Sequence, residues 1–385
     1  MKILIITLHY LDRNSGGSFA SRAFINAFAK IADSSMLLFP DNGISIIEYI
    51  DPKCVLKGIA DKRSKVKKAI DIYLGKIHRF DSDIVLPEID FFDPDIVVFD
   101  NSRCSAGLLE KIKLKQKKII TIHHNFEIEY YKGSKPNIAW RIPFIHYMKN
   151  AERIAVVNSD INLTLTEQDS ILLSKYYSNG EKVKINCLGC FEFKPTKSPA
   201  LIKVQNKVIK IVITGNLSAI QTELCVVHFL TNIFPEMEKK IKGFEIIIAG
   251  RNPSYSIKKL CINNSSVKLI ENPLNMIDVI QNADIYLCPV FLGGGLKLRI
   301  MDGLKLGVPV LSHEISARGY DKFIESECLF VYNNNASFIE SLEKILKLIK
   351  EQKLESIKIQ NIYNSLFSFD AGVIRLNKLV EDFLY

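Results

Sequence analysis

The feature that most constrains the fold is a repeated pairing of a short, continuous apolar run with a segment of helical periodicity. The first run is KILIITL at 2–8, and the segment at 18–31 that follows it has one apolar helical face, formed by Phe19, Ala23, Ala27 and Phe28. Apolar runs without alternation are typical of strands that are buried on both faces of a parallel sheet. The sequence therefore predicts α/β layers in which helices cover parallel sheets.

This pairing occurs in two series, one in each half of the chain. Strands of the first series are expected at 2–8, 36–39, 95–99, 118–122 and 161–165. In the second series we expect strands at 208–214, 244–249, 267–270, 284–288 and 308–312, and helices at 221–240, 275–282, 295–306 and 336–352. The stretch 195–207 between the series contains Lys, Pro and Ser, which is typical of a linker. Two Rossmann-like domains with a boundary near 190–205 are predicted, since 385 residues exceed one ordinary core.

Composition agrees with a folded protein of the cell interior. The chain is 48% apolar and 24% charged, and no apolar run reaches the roughly 18 to 20 residues of a membrane span. Its first residues lack the length and cleavage site of a signal peptide, so we expect a cytoplasmic location. The eight cysteines are scattered and are expected to be reduced; the single CLGC at 187–190 has no second pair at zinc-finger spacing.

The net charge of +9 favours anionic partners. No aromatic-interleaved RNA signature or helix-turn-helix pattern accompanies this charge, so we expect no nucleic-acid partner. Phosphate-bearing partners, whether small molecules or lipids, remain compatible with it.

Three loops that follow predicted strands contain glycines, and such loops bind ligands in doubly wound sheets. In the first, Gly16 and Gly17 precede Ser18, a candidate helix N-cap whose bare amides favour phosphate, although a turn that needs positive φ explains the glycines equally well. The second loop contains Gly215 and Asn216. No loop completes the dinucleotide fingerprint or a P-loop.

The third loop lies in the sequence FLGGGLKLRIMDGLKLGVPV at 291–310. A helix is expected to begin near Gly295 and to end before Gly307 and Pro309. Lys297 then falls in the first helical turn, where a cation opposes the helix dipole unless an anion is bound nearby. Arg299 and Asp302 share a helical face, either as an ion pair or as ligand-binding groups.

Several segments together resemble GT-B retaining glycosyltransferases of family 4. The runs at 244–254 (FEIIIAGRNPS) and 271–320, which contains the glycine loop, resemble the nucleotide-binding half of that family. GNLSAIQTELCVVHFLTNIFPEM resembles the first strand, loop and helix of that half, and ITIHHNFEIEYY resembles the family's His-Asn segment. NSDINLTLTEQDSILL resembles the strand that leads to the family's hinge, and FSFDAGVIRLNKLVEDFL resembles its closing helix.

The resemblance implies a two-domain fold with a central cleft. An acceptor-binding domain is expected at 1–190 and a nucleotide-sugar domain at 191–365, with a helix at 366–385 that returns to the first domain. It also implies transfer of a sugar from a nucleoside diphosphate to a saccharide or lipid-linked acceptor, with retention at the anomeric carbon and without a metal or other cofactor. The product is expected to be a surface polysaccharide or another glycoconjugate.

The resemblance assigns most of the donor site to the third loop. The diphosphate is expected against the glycine loop and its cations, and the ribose hydroxyls at the Asp302 carboxylate. Many members have a glutamate where Gly294 stands, and an Arg and a Lys after the strand that here ends at Gly215. The donor-binding residues expected in this chain are Gly16, Gly17, Gly215, Asn216, Arg251, Gly293, Gly294, Gly295, Leu296, Lys297, Arg299 and Asp302.

One histidine is expected to act on the donor sugar. His124 falls on the family histidine that approaches that sugar, whereas His123 is the neighbour expected to be structural. Glu127 and Glu129 follow in what is expected to be an exposed loop, where either could help to orient the acceptor.

A basic segment at 53–80 adds a possible membrane contact. It contains Lys53, Lys57, Lys62, Arg63, Lys65, Lys67 and Lys68, followed by an apolar helical face of Val66, Ile70, Tyr73, Leu74 and Ile77. Such a helix either packs on its own core or lies on an anionic leaflet, so peripheral contact with the inner leaflet is expected. Two alternatives to a transferase stay open: a nucleotide-sugar epimerase of the same architecture and a non-catalytic sugar-nucleotide scaffold.

Overall fold

The computed structural model describes residues 1–13, 15–60, 63–64, 66–67, 70, 80, 82–103, 106–134, 141–178, 183–195 and 208–384. The chain divides into two compact units. Unit 1 comprises Met1–Lys132, Pro136–Thr196 and Phe367–Tyr385, and unit 2 comprises Gly133–Lys135 and Lys197–Leu366. Nearly all of the predicted linker at 195–207, and most of the helix predicted within 53–80, lie outside the described residues.

Unit 1 is built on a parallel sheet of seven strands in the order β3-β2-β1-β4-β5-β6-β7. The strands are β1 Lys2–Thr7, β2 Ser34–Asp41, β3 Cys54–Ala60, β4 Ile96–Asp100, β5 Lys118–His123, β6 Ile161–Thr164 and β7 Ile185–Cys187. The helices of this part of the chain are α1 Gly16–Ile31, α2 Ser82–Phe92, α3 Ala106–Leu114, α4 Glu127–Ser134, α5 Arg141–Asn158 and α6 Glu167–Tyr177. All five strands predicted in this half are confirmed, since their apolar runs are buried on both faces.

Two strands of unit 1 were missed. Strand β3 is the edge strand, and its apolar run is interrupted by Lys57 and Gly58, which are both exposed. Lys57 of the basic segment therefore lies in a strand, where its ammonium pairs with Glu88 at 2.5 Å. The other missed strand, β7, has only three residues.

The last helix, α16 Phe369–Leu384, belongs to unit 1 and packs against α1. A Cβ on Gly372 of this helix would lie 2.1 Å from the Phe191 ring, so only glycine permits the approach. The Arg375 guanidinium donates through Nε to the Leu188 carbonyl at 3.1 Å. The expected return of the C-terminal helix to the first domain is confirmed.

Unit 2 is built on a parallel sheet of six strands in the order β10-β9-β8-β11-β12-β13. The strands are β8 Ile209–Asn216, β9 Phe244–Arg251, β10 Val267–Glu271, β11 Ile285–Cys288, β12 Val310–His313 and β13 Leu329–Tyr332. The helices are α7 Ile220–His228, which continues through a π turn at Phe229–Ile233 into α8 Phe234–Lys240, then α9 Tyr255–Ile262, α10 Met276–Gln281, α11 Arg299–Lys305, α12 Glu314–Ala317, α13 Asp321–Glu325, α14 Asn335–Lys350 and α15 Ser356–Phe367. The predicted strands are confirmed, and β13 was missed.

Each sheet has the same topological switch point. In unit 1 the first strand lies between β2 and β4, and in unit 2 its first strand, β8, lies between β9 and β11. Ligands of open α/β sheets bind beyond the carboxyl ends of the strands at such a point. Ligand sites are therefore expected at the loops after β1, β4 and β5 in unit 1 and at the loops after β8 and β11 in unit 2.

In the part of the chain that the structure describes, no helix combines the length and the apolar character needed to cross a bilayer.

Candidate functional site

The glycine loop of unit 2 follows β11 and has a left-handed backbone at two positions. Gly293 has φ +83° and Gly295 has φ +69°, values that favour glycine strongly. Gly293 is also packed on a neighbour, because a Cβ there would lie 2.7 Å from Nε2 of Gln221. The loop conformation therefore depends on glycine for both reasons.

The helix after this loop begins later than expected. The prediction of a start near Gly295 is wrong, since α11 begins at Arg299. The left-handed φ of Gly295 is incompatible with a right-handed helix, which explains the delay. Lys297 consequently precedes the helix, and the expectation that it opposes the dipole in the first turn is wrong as well.

Lys297 instead folds back over its own loop. Its ammonium Nζ donates to the carbonyl of Gly294 at 2.8 Å. The Lys297 carbonyl in turn accepts from the Tyr320 hydroxyl at 3.0 Å, which anchors the end of the loop to a buried tyrosine. The lysine and the central glycine thus form one tightly closed turn, with Leu296 between them.

Arg299 crosses from α11 to the end of β8. Its Nη1 donates to the Thr214 carbonyl at 3.2 Å, and its Nη2 donates to Oγ1 of Thr222 at 2.9 Å. Nη1 is also 2.9 Å from the position that a Cβ on Gly215 would take. The guanidinium therefore lies at the loop where the resemblance leads one to expect cations and where the sequence GNLSAIQTE has none.

Asp302 is exposed on α11, one turn beyond Arg299. The neighbouring Gly303 packs on the Tyr286 ring, from which its Cβ would be 2.9 Å, and the Tyr286 hydroxyl bonds to Oγ1 of Thr214 at 2.6 Å. Burial, with the Asp302 charge as a smaller cause, raises the pKa of Tyr286 far above its usual range. The tyrosine remains neutral and holds α11, through Gly303, against β8.

Arg251 and Asn216 lie side by side at the ends of β9 and β8. Both are exposed, and Oδ1 of Asn216 accepts from the Ser218 hydroxyl at 2.9 Å, which shapes the loop. Sequence reasoning missed the nearby Gly250, whose Cβ would be 1.9 Å from the Gly215 carbonyl oxygen. Its signal was a glycine directly after the buried run IIIA.

In unit 1, Gly16 and Gly17 form the first turn of α1. The N-cap is Ser15, whose Oγ accepts from the Ser18 amide at 3.2 Å, so the assignment of Ser18 as the cap is wrong. Ser18 donates to the Tyr10 carbonyl instead. A Cβ on Gly17 would lie 2.6 Å from the His9 ring, so the absence of a side chain at Gly17 lets this imidazole pack against the first turn of α1.

His124 is part of a buried polar chain at the ends of three strands. Its Nε2 is 2.7 Å from Oδ1 of Asp100, and Thr7 donates its hydroxyl to Oδ2 of Asp100, also at 2.7 Å. The His124 and Asp100 side chains are 5% and 0% exposed. Sequence reasoning missed Thr7, Asp100 and His9; each lies at or just beyond the end of a predicted strand, which was the available signal.

His123, by contrast, points into the sheet. It is fully buried, and its Nε2 is 2.9 Å from Oδ1 of Asn162. Burial, together with the nearby His124, lowers its pKa to about 4 although the Asn162 bond opposes the shift. His123 is therefore a neutral structural group.

Glu127 is not the exposed loop residue that was expected. It is buried at the start of α4, and its carboxylate is 3.7 Å from the Arg103 guanidinium. Its backbone amide donates to Oε1 of Glu152, whose other oxygen accepts from the Tyr177 hydroxyl at 2.8 Å. Burial raises the pKa of Glu152 to about 8, so this carboxyl keeps its proton near neutral pH.

Among the described residues, no group of three or more His, Cys, Asp or Glu side chains is arranged to hold a metal ion. Cys187 and Cys190 are free thiols.

Comparisons with known proteins place this geometry in a class. Residues 209–348 match the family model of the Glycosyl transferases group 1. No curated protein gives a significant sequence match.

Solved structures match along nearly the whole chain. A glycosyltransferase from Rickettsia africae ESF-5 has a TM-score of 0.68 at 14% identity and covers 100% of this chain and 98% of its own. The lipopolysaccharide outer core galactosyltransferase WaaB, in its apo form, has a TM-score of 0.68 at 12% identity over 99% of both chains. The Anabaena protein HepE in complex with UDP also has a TM-score of 0.68, at 10% identity, over 99% of this chain and 100% of its own.

Two findings define the class: the fold of both units is that of GT-B proteins, and unit 2 has the family match. The chain has the GT-B fold and contains a glycosyl transferases group 1 domain at residues 209–348. The part that carries the family match is its glycosyl transferases group 1 domain, which contains the glycine loop, Arg299 and Asp302.

Proposed function

We propose that this protein is a glycosyltransferase that moves a sugar from a nucleoside diphosphate to a hydroxyl of a saccharide or lipid-linked acceptor, with retention at the anomeric carbon. The observation that carries the proposal is the position of Arg299 at the end of β8, next to the glycine loop of the matched domain. A guanidinium at a switch point suits a diphosphate, because its planar fork binds phosphate oxygens in pairs.

In this proposal the diphosphate lies against Gly293, Gly294, Gly295 and Leu296, with Lys297 and Arg299 as its cations. Lys297 exchanges the Gly294 carbonyl for a phosphate oxygen, which costs one hydrogen bond to a neutral acceptor and gains one to an anion. Arg251 and Asn216 border the same switch point, and Asp302 binds the ribose hydroxyls through its carboxylate.

Catalysis then depends on stabilising the leaving diphosphate. Negative charge grows on its oxygens as the glycosidic bond breaks, and fixed cations lower the free energy of that state. These cations take the role that a metal has in other phosphate chemistry, so no metal is required. His124 acts on the sugar, and Gly16 and Gly17 shape the first-loop backbone beside it.

The donor nucleotide is proposed to be UDP, which the structurally similar HepE binds. The acceptor is proposed to be a lipid-linked saccharide of a surface polysaccharide, because one structural neighbour is a lipopolysaccharide galactosyltransferase and the chain carries a net charge of +9. Peripheral contact with an anionic inner leaflet belongs to this proposal.

The test is donor turnover by the purified protein across UDP-, GDP- and dTDP-sugars, with and without lipid-diphosphate saccharides. The proposal expects acceptor-dependent release of one nucleoside diphosphate and a product with the donor's anomeric configuration. Release of nucleotide and an isomerised free sugar without acceptor would favour the epimerase. Binding without turnover under every condition would leave the scaffold.

A further inference from the structure

Two imidazoles lie side by side at the carboxyl ends of the unit 1 strands. The ring centroids of His9 and His124 are 4.9 Å apart, and the rings are inclined at 36°. His9 is packed on Gly17, while His124 contacts the Phe24 ring edge to face at 5.7 Å. Of the two, His124 is the one hydrogen bonded to a carboxylate, that of Asp100.

The carboxylate is itself held in one orientation. Oδ2 of Asp100 accepts the Thr7 hydroxyl, and Oδ1 faces Nε2 of His124. A carboxylate accepts hydrogen bonds and donates none, so Nε2 must carry the hydrogen that joins the pair. In the described part of the chain, Nδ1 of His124 makes no hydrogen bond, and it is the nitrogen that this arrangement leaves for a ligand.

We propose that Asp100 is a positioning residue that fixes His124 in the tautomer with hydrogen on Nε2, so that Nδ1 accepts a hydroxyl hydrogen of the bound sugar. His9 beside it is neutral, and the hydrogen bond to the Asp100 carboxylate is made by His124. The sugar as ligand rests on the proposed function, whereas the tautomer of His124 does not depend on it.

The charge states of the cluster agree with this geometry. Burial alone would raise the pKa of the Asp100 carboxyl, but its interactions with His124 and, to a smaller extent, with His9 and Ser21 hold the pKa below its usual range. Burial and then the nearby His124 lower the pKa of His9 to about 4. Asp100 is thus an anion and His9 is uncharged near neutral pH.

Three further titratable groups surround His124. His123 precedes it on the chain and is neutral, and the carboxyl of Glu127 on α4 is paired with Arg103, which follows β4. Burial raises the pKa of Glu127, and its carboxyl lies against Arg103 and is not hydrogen bonded to His124. The direct bond to Asp100 therefore dominates the choice between the two ring nitrogens.

The experiment is nitrogen NMR of the histidine side chains in the full chain, without donor. At a pH where His124 is neutral, the wild type is expected to have hydrogen on Nε2 and none on Nδ1. Asp100→Asn keeps the shape but removes the charge, and we expect a mixture of tautomers. Asp100→Ala is expected to give the same mixture, and Thr7→Val a smaller change in the same direction.

Asn162→Ala is the matched control, because it removes the partner of the other buried histidine, His123. We expect it to alter the His123 signals and leave those of His124 unchanged. Persistence of a pure Nε2–H tautomer in both Asp100 variants would overturn the proposal, as would hydrogen on Nδ1 in the neutral wild type.

Kinetic measurements distinguish a failure of the tautomer proposal from a failure of the proposed function. Asp100→Asn is expected to lower kcat by about tenfold, because a hydrogen bond that positions the sugar is weakened, with a much smaller change in the donor KM. A change confined to KM would contradict the positioning role. If the wild type turns over no donor, the proposed function fails, and the NMR result still decides the tautomer.

Discussion

The Arg299 guanidinium occupies the space that a side chain at position 215 would take. The Arg299 Nη1 atom lies 2.9 Å from where the Cβ of any other residue at position 215 would be, and it donates to the carbonyl of the preceding Thr214. A chain with a long side chain at 215 would exclude this guanidinium. Because Gly215 has no side chain, the Arg299 guanidinium can place its positive charge at the end of β8.

The first prediction is that substitutions at these two positions are not additive. Arg299→Ala is expected to weaken UDP binding by about tenfold or more, since a charged hydrogen bond contributes roughly 1.5–3 kcal/mol. Gly215→Ala should weaken it by displacing the guanidinium, and should add little in the Arg299→Ala background. Calorimetry on the two single variants and the double variant checks this; independent, additive losses would contradict the shared role.

The second prediction separates diphosphate from ribose recognition. Lys297→Ala is expected to weaken binding of UDP and of inorganic pyrophosphate alike, because the ammonium binds phosphate oxygens. Asp302→Ala is expected to weaken UDP binding while leaving pyrophosphate binding unchanged. Lys305→Ala, one turn further along α11, is the control. Equal losses for both ligands in both variants would count against these roles.

The third prediction concerns the close approach of β8 and β9. Gly250→Ala is expected to lower stability by about 1–3 kcal/mol or more, because its Cβ would lie 1.9 Å from a backbone oxygen that cannot move freely. Gly107→Ala is the control, since a Cβ on that exposed helical glycine meets nothing within 4 Å. Thermal unfolding measures both, and similar melting temperatures for the two variants would argue against the contact.

The fourth prediction concerns pH. The folded-state pKa of Glu152 is about 8, above its ordinary 4.5, so the folded chain binds this proton more tightly than the unfolded chain. The contribution to stability is complete below pH 4.5 and is lost as the pH rises towards 8. Over that range the free energy of unfolding falls by roughly 1.4 kcal/mol for each pH unit.

Glu152→Gln is therefore expected to flatten the fall in unfolding free energy between pH 5 and pH 8. The amide can still accept from the Glu127 backbone and bond to Tyr177, so the fold should persist. The exposed Glu110→Gln is the control and should leave the slope as in the wild type. Denaturant unfolding across this range decides it, and an unchanged slope in Glu152→Gln would show that the carboxyl is charged in the folded state.

The sequence predicts the sheets well because their signal is local. Ten apolar runs become ten parallel strands, of which all but the edge strand β10 are largely buried. The missed strand β3 is an edge strand broken by Lys57 and Gly58. The start of α11 was misplaced because φ at Gly295 is set by the packed loop, as the contact of Gly293 with Gln221 illustrates. Local helix signals do not report such tertiary constraints.

The candidate site was predicted only in part for the same reason. The donor-loop residues are neighbours in sequence, and their motif was readable. Asp100 and His124 are neighbours only because β4 and β5 pair in register, and Thr7 joins them through the pairing of β1 with β4. Likewise, Arg299 reaches Gly215 because β8 and β11 are adjacent in the sheet.

The most direct test of the account is transfer of labelled sugar from a UDP-sugar panel to lipid-diphosphate saccharides by wild type and Arg299→Ala protein. We expect wild-type protein to give labelled acceptor and UDP in equal amounts with at least one donor, and Arg299→Ala to lose most of that rate while remaining folded. An Arg299→Ala variant as active as wild type would contradict the proposed donor site. Absence of labelled acceptor with every donor and acceptor would contradict the proposed reaction.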